Sequence, residues 1–174
     1  MKGFSKRAWI FAAAALLVIA AGVVVWRVSL RDTGEQDAPE YVVWSGYDGE
    51  DWEIYLYDID LGNTKQISIN EENDIHPEVS GDYVVWCGYE KSDFWVNLYQ
   101  ISTGVVATIS GNIAPDFDPS INEDYIVWES NLDEDPEIFL YQISNGVSIQ
   151  VSNNLANDYD PQVSGDYITN GASY

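Results

Sequence analysis

The chain has 174 residues, 46% hydrophobic and 21% charged, a composition that excludes general disorder. Its 29 acidic residues outnumber seven Lys and Arg, so the net charge is −22. From Asp32 onward two lysines face all 29 acidic residues, a net charge of −27. This charge argues against nucleic acid as a partner of the main domain and fits cations or a basic protein surface better. The interpretation we favour is that the charge keeps an exported domain soluble. A single cysteine excludes an intrachain disulfide.

The N-terminus is predicted to be a membrane anchor. Residues 1–7 are basic and residues 8–28 form an apolar segment, with no charge from Ala8 to Trp26. As a helix, those 19 residues span roughly 28 Å, close to the ~30 Å hydrocarbon core. The basic flank keeps residues 1–7 in the cytoplasm and places the acidic domain outside, in the periplasm or the extracellular space. A cleaved signal peptide is the alternative. Residues 29–40 are predicted to be a linker.

Three repeats of 42 residues follow without insertion, at 41–82, 83–124 and 125–166, and a fourth begins at 167–174. Each column of the repeat conserves its residue type within the chain. The columns are Trp44, Trp86 and Trp128; Tyr57, Tyr99 and Tyr141; Gly62, Gly104 and Gly146; Asp74, Asp116 and Asp158; and Pro77, Pro119 and Pro161. Self-similarity at a fixed period predicts a repeat architecture.

Each unit is predicted to form four short strands. In the first unit these are YVVW, EIYLYDI, TKQIS and PEVSG, and a turn on Gly62 joins the second to the third. Pro77 is predicted to start the last strand, where its missing N–H costs nothing. Four strands in about 40 to 45 residues are typical of a β-propeller blade. No helical periodicity follows Val28, so this domain is predicted to be all-β.

The repeat resembles the TolB-like propeller repeat, also called the WD40-like or PD40 repeat. EIYLYDI, QIS and NEENDIHPEVSGDYVVW match that family's pattern, I-Y-x-x-D, L-T, D-x-x-P-x-x-S and a strand ending in an aromatic residue. The resemblance covers residues 41–174, with SGD or NED where the family has Ser-Pro-Asp-Gly. It implies that PEVSG is the innermost strand of a blade, so each unit begins at a blade's second strand.

In that phase the chain holds a partial β-propeller of roughly three TolB-like blades. Propellers close with about four to eight blades. Three explanations stay open: a truncated member of the family, which we favour, a ring completed by further copies of the chain, or an open arc with exposed edges. The final YITNGASY has Asn170 in the Trp column, so the repeat pattern degrades there.

Acidic residues recur in the segment before each innermost strand. Asp74, Asp116 and Asp158 lie three residues before the proline, and His76, Asp118 and Asp160 lie one residue before it. Because these segments gather at one mouth of a propeller channel, Asp74, Asp116, Asp118, Asp158 and Asp160 are candidate ligands of a Ca²⁺ ion. The alternative is that each Asp caps its own turn. His76 is interpreted as a loop residue.

Two further features receive a plain structural interpretation. The acidic segments 48–53 and 133–137 are calcium-loop-like in composition alone and are interpreted as solvated hairpin turns. Cys87, whose equivalents are Ser45 and Glu129, is predicted to be partly exposed.

The sequence contains no G-x-S-x-G, H-E-x-x-H or phosphate-loop motif. It therefore predicts a non-catalytic, membrane-anchored protein that binds or scaffolds a protein or an envelope polymer, with no cofactor other than Ca²⁺. One alternative is the propeller of a prolyl-oligopeptidase-like peptidase. Another is a calcium-stabilised surface-layer or adhesion module.

Overall fold

The computed structural model of the protein describes residues 40–90, 93–111, 114–132, 135–165 and 167–173. The predicted cytoplasmic segment 1–7, the anchor 8–28 and all but the last residue of the linker 29–40 lie outside the described residues. Within the described ranges, no helix is long and apolar enough to cross a bilayer.

The described residues form β-strands and turns, which confirms the all-β prediction. The strands are β1 Tyr41–Tyr47, β2 Trp52–Asp58, β3 Asn63–Gln66, β4 Asp74–Ser80, β5 Tyr83–Glu90, β6 Asp93–Gln100, β7 Val105–Thr108, β8 Asp116–Asn122, β9 Tyr125–Leu132, β10 Asp135–Gln142, β11 Val147–Gln150, β12 Asn157–Ser164 and β13 Tyr167–Ser173.

These strands make antiparallel sheets in which sequence neighbours pair. Two sheets have four strands, β4-β5-β6-β7 and β8-β9-β10-β11; β1-β2-β3 make a third sheet and β12-β13 a fourth. Each complete sheet begins at the strand that contains the repeated proline. The predicted four-strand blade and its phase are therefore confirmed, because each 42-residue unit starts at a blade's second strand.

The turn between the third and outermost strands of each blade follows from a repeated glycine. Gly62, Gly104 and Gly146 have φ of 66°, 72° and 68°, a left-handed conformation that glycine adopts without steric cost. Each glycine N–H donates to a carbonyl four residues earlier, at 2.8 to 2.9 Å. The turn predicted at Gly62 is confirmed, and it recurs in the other two units.

Apolar side chains bury the faces between neighbouring sheets. One cluster joins the first sheet to the second and consists of Ile54, Leu56, Ile67, Val84, Trp86 and Tyr99. The next joins the second sheet to the third and consists of Val85, Val96, Leu98, Ile121, Ile126 and Trp128. Each fully buried aliphatic or aromatic side chain contributes about 1.5–3 kcal/mol. Trp86 and Trp128 of the repeated Trp column are therefore part of the core of the stacked blades.

A serine, buried in the first two units and partly buried in the third, holds the outer part of each blade. Ser68, Ser110 and Ser152 each accept a hydrogen bond from a backbone N–H of the blade's third strand, at 2.8 Å in all three units. In the first and third units the same hydroxyl also donates to a glutamate, Glu53 or Glu137. The middle unit has Trp95 at that position.

Innermost strands of neighbouring blades are tied by side chains that accept backbone N–H bonds across the interface. Glu78 Oε2 accepts from the N–H of Ile121 at 3.0 Å, and Ser80 Oγ accepts from that of Glu123 at 2.9 Å. Asn122 Oδ1 likewise accepts from the N–H of Gly165, at 3.1 Å. These bonds hold β4, β8 and β12 side by side.

Strand β1 pairs with β2 along one edge and has no second partner strand among the described residues. Its Trp44 is 38% exposed, whereas the equivalent Trp86 and Trp128 are 2% exposed. The difference arises because β5 and β9 are covered by β4 and β8. The edge of β1 therefore presents apolar surface that the complete blades bury.

Candidate binding groove on the innermost strands

The innermost strands carry a β-bulge that the sequence analysis did not predict. β4, β8 and β12 begin at or before the repeated Asp, so the prediction that Pro77 starts its strand is wrong. The register of β4 on β5 shifts between Ile75 and Glu78, and β8 and β12 shift at the equivalent place. Pro77 lies inside this bulge, where the ladder is interrupted and a backbone N–H is not required.

One residue in each bulge has a left-handed backbone. His76, Asp118 and Asp160 have φ of 55°, 48° and 47°. For residues other than glycine this conformation costs roughly 1–2 kcal/mol, and Asp and His tolerate it better than most. The same conformation in three successive blades shows that the repeat encodes it.

The three bulges line one groove across β4, β8 and β12. The groove has a volume of about 340 Å³, and its walls are His76, Pro77, Glu78, Asp118, Pro119, Asp160 and Gln162. His76 Nδ1 lies 2.9 Å from Asp118 Oδ1, and both side chains are partly exposed to solvent. The imidazole of one blade and the carboxylate of the next are therefore in direct polar contact across the groove.

Glu129 adds a carboxylate near this groove that the sequence analysis missed as a site residue. It is a buried residue of β9. Burial raises the pKa of Glu129, the negative charge of Asp118 raises it further, and the backbone N–H of Asp160 acts in the opposite direction. The available signal was the glutamate itself, which occupies a strand column that otherwise holds Ser45 and Cys87.

The five predicted cation ligands divide into two sets. Asp118 and Asp160 line the groove together with His76. Asp74, Asp116 and Asp158 are instead buried inside their blades, at 2%, 0% and 5% exposure. The Ca²⁺ prediction for these five residues stays a prediction. The geometry gives Asp118 and Asp160 access to a shared ligand in the groove.

The buried aspartates hydrogen bond to groups of their own blades. Asn70 Nδ2 donates to Asp74 at 2.8 Å, and Asn154 Nδ2 donates to Asp158 at 2.7 Å. Trp128 Nε1 donates to Asp116 at 3.2 Å. All three of these donors are side chains. The Asp column therefore connects each innermost strand to a preceding turn or to the indole of the next strand.

Asp74 also borders a second cavity of about 480 Å³, together with Trp86, Asn97 and Tyr89. Burial raises the pKa of Asp74 to about 6, while hydrogen bonds from neighbouring side chains act in the opposite direction. The indole Nε1 of Trp86 lies near this carboxylate but outside hydrogen-bond geometry, and it has no other partner in the described part of the chain. Unlike the groove, this cavity draws on the first two units alone.

Cys87 is buried on β5, so the prediction of partial exposure is wrong. Burial raises the pKa of its thiol to about 12. Its Sγ lies 3.5 Å from the backbone oxygen of Asp116 in the next blade. The side chain is therefore a packing residue between two blades.

Sheets of four antiparallel strands, stacked face to face with their innermost strands side by side, are blades of a β-propeller.

No family model matches the sequence, and no curated protein is detectably similar to it. Solved structures do match in fold. A putative TolB from Agrobacterium tumefaciens has a TM-score of 0.62 at 15% identity, over 76% of this chain and 50% of that one.

TolB from Acinetobacter baumannii matches with a TM-score of 0.58 at 17% identity, over 75% of this chain and 34% of that one. An oligogalacturonate lyase in complex with manganese matches at 0.55 and 13% identity, over 70% of this chain and 39% of that one. Peptidases are also among the similar structures. The predicted TolB-like propeller fold is confirmed, and the chain spans about half or less of the length of these proteins.

Proposed function

We propose that this protein is a membrane-anchored, non-catalytic propeller-repeat protein that binds a basic segment of another protein in the groove on β4, β8 and β12. Residues 8–28 anchor it, and the blades are displayed outside the cytoplasmic membrane. The fold supports a binding role by analogy, since several blades of a propeller together form one surface to which a ligand can bind.

The observation that carries the proposal is the set of three left-handed residues in one groove. His76, Asp118 and Asp160 each retain a polar side chain at a backbone position where glycine would be free of strain. Strained residues persist where the surrounding structure holds them, and they cluster at binding sites and ligand clamps. Here the strained positions present their side chains to one space.

The negative charge of the groove indicates that its partner is positively charged. Glu78, Asp118 and Asp160 line it, and Glu129 lies beside it. Anionic envelope polymers and nucleic acids are repelled by such a lining, whereas Lys- or Arg-rich protein segments are attracted to it. A protein partner is therefore favoured over an envelope polymer.

The test is fluorescence anisotropy with a labelled decapeptide of alternating Lys and Ala, titrated with the full chain in detergent. The double variant Asp118→Asn, Asp160→Asn is expected to weaken binding about tenfold, because two rim charges are removed. The matched control is Glu50→Gln, Glu71→Gln, which removes two exposed charges outside the groove. Equal weakening by both variants would contradict a groove site and indicate diffuse attraction to an acidic protein.

The anchor has its own test. The full chain is expected to stay with membranes in alkaline carbonate, and its C-terminal region is expected to be digested by protease added to spheroplasts. Leu16→Arg with Leu17→Arg should release the protein, because each arginine at the centre of a spanning helix costs about 2.5–3.5 kcal/mol on insertion scales. Carbonate extraction of the unchanged chain would contradict the anchor.

A second copy of the chain is the proposed partner of the exposed β1 edge. In the complete blades, the innermost strands β4 and β8 pair with β5 and β9, and β12 is the innermost strand that pairs with β13. Strand β1 is equivalent to β5 and β9. Strand addition from a second chain would cover Trp44 in the same way. Light scattering of the purified chain should show a dimer, and a monomer at all concentrations would contradict this pairing.

A catalytic role is the second candidate, because peptidases and a lyase share the fold. The residue it would need is His76, which contacts Asp118 in the groove. Hydrolysis of aminoacyl p-nitroanilides that is lost in His76→Ala would favour this role over binding alone.

A further inference from the structure

The β1–β2 hairpin of the first sheet gathers three carboxylates. Oxygens of Asp48, Asp51 and Glu53 all lie within 4.8 Å of one another. Asp48 is exposed at the end of β1, while Asp51 and Glu53 are buried. Within the described residues, no other group of three or more potential metal ligands is this close. The acidic turn predicted to be a solvated hairpin is therefore a compact cluster with two buried members.

Asp51 supplies evidence for a missing ligand that is independent of the clustering. The residue is 9% exposed, and its Oδ1 has no hydrogen-bond partner among the described residues. A buried carboxylate oxygen without a partner is costly, and two like charges beside it increase the cost.

No basic side chain described by the structure neutralises the cluster. Lys65 is the one Lys or Arg in the described ranges, and its Nζ contacts the Tyr99 hydroxyl at 2.8 Å. A bound cation would supply both the positive charge and the partner that Asp51 Oδ1 lacks.

The other two carboxylates are already held in place by hydrogen bonds, which is typical of groups that ligate a metal. Glu53 accepts from Ser68 Oγ through Oε2 and from the N–H of Asn70 through Oε1, the latter at 2.9 Å. Asp48 Oδ1 accepts from the N–H groups of Glu50 and Asp51, at 2.9 and 3.2 Å. These bonds fix the orientation of the Asp48 carboxylate.

We propose that Asp48, Asp51 and Glu53 form a Ca²⁺ site in the β1–β2 hairpin. An all-oxygen donor set selects a hard cation. Three carboxylate oxygens within 4.8 Å of one another can ligate one Ca²⁺ ion, which accepts a flexible geometry at about 2.3–2.6 Å, whereas Mg²⁺ requires a near-ideal octahedron. The exposed side of Asp48 leaves room for water to complete the coordination of Ca²⁺.

The repeat itself provides matched controls. The residues equivalent to Asp48, Asp51 and Glu53 are Glu90, Asp93 and Trp95 in the second unit, and Leu132, Asp135 and Glu137 in the third. Each of the other hairpins thus lacks one of the three carboxylates. The proposal therefore assigns one Ca²⁺ site to the first hairpin and none to the equivalent positions of the other two.

Terbium luminescence tests the site in the full chain, purified in detergent and stripped with EDTA. Tb³⁺ replaces Ca²⁺ and is excited through Trp52, which directly follows Asp51 in the sequence. We expect luminescence that Ca²⁺ displaces with a Kd of about 10⁻⁴–10⁻³ M, the range of extracellular calcium modules. Asp51→Asn should weaken binding at least about tenfold, and the control Asp93→Asn should leave it unchanged. Unchanged binding in Asp51→Asn, or equal weakening by both variants, would overturn the proposal.

Thermal unfolding gives a second measurement, in which Ca²⁺ should reverse which of the two proteins has the higher midpoint. In EDTA, Asp51→Asn should melt above the unchanged chain, since it removes one of three repelling charges. At about 10 mM Ca²⁺ the unchanged chain should gain stability and the variant should not, because only a folded-state ligand raises the midpoint. If Asp51→Asn does not fold, the exposed Asp48→Asn takes its place in both assays. A midpoint of the unchanged chain that does not move with Ca²⁺ would overturn the site.

Discussion

Replacing Asp74 by Asn is expected to remove a pH dependence from the stability of the blades. Burial raises the pKa of Asp74 from 3.8 to about 6 in the folded protein. In the unfolded chain the pKa returns to its ordinary value, so the folded state holds the proton more tightly. The stabilisation from this group is complete below pH 3.8 and is lost as the pH rises through about 6.

The difference between the two pKa values sets the size of the effect. At about 1.36 kcal/mol for each pH unit, it corresponds to about 3 kcal/mol. Asn is neutral at every pH and keeps an oxygen that can accept from Asn70, which donates to Asp74 at 2.8 Å. Because part of this effect is already lost at pH 4, the free energy of unfolding of the unchanged chain, relative to Asp74→Asn, should fall by about 2 kcal/mol between pH 4 and pH 7.

Urea unfolding followed by tryptophan fluorescence at several pH values measures this difference. The buffers contain EDTA, so that no bound cation contributes. Glu71→Gln removes an exposed carboxylate from the turn that precedes Asp74 and controls for the change in net charge. If the stability curves of the unchanged chain and Asp74→Asn run parallel from pH 4 to pH 7, the inferred burial cost of this carboxylate is wrong.

Three further predictions concern packing, backbone strain and thiol reactivity. Trp86→Ala should lower the free energy of unfolding by about 3–5 kcal/mol and Trp44→Ala by clearly less, because Trp86 is buried and Trp44 is at an exposed edge; equal losses in chemical denaturation would contradict this. Glu123→Gly should leave stability unchanged or raise it by up to about 1 kcal/mol, because Glu123 has φ of 51° where the equivalent Gly165 has 55°; a clear loss in thermal melting would refute the strain argument. Cys87 should react with Ellman's reagent after denaturation but not in the folded protein at pH 8, because burial raises its pKa to about 12.

The repeat made much of the fold predictable. Along a strand, residues on the two faces of the sheet alternate with a period of two, and a turn that needs a left-handed backbone is marked by a residue such as Gly62. Both signals are local, and three copies at one spacing reinforce each other. The four-strand blades and the turn glycines were therefore predictable without coordinates, whereas the phase of the blades was implied by the resemblance to the TolB-like repeat.

The candidate sites were less predictable, because they depend on contacts between distant segments. Acidic residues at 48–53 were visible in the sequence, but Glu53 is joined to Ser68 and Asn70 across the sheet. That contact orders the carboxylate, and the burial of Asp51 makes the cluster a metal site rather than a solvated turn. Neither property is encoded within the six residues of the hairpin.

Asp116 and Asp118 show most clearly which properties follow from the sequence and which depend on the tertiary structure. The sequence by itself determined that an Asp lies three residues before a proline in every unit, and that a second Asp lies one residue before it in the second and third units. In a regular strand, residues two apart share a face, so both carboxylates would point to the same space. The bulge between Phe117 and Ser120, with its left-handed Asp118, breaks that rule. Only the tertiary structure decided that Asp116 is buried inside its blade while Asp118 lines the groove, because a bulge depends on the register with the neighbouring strand.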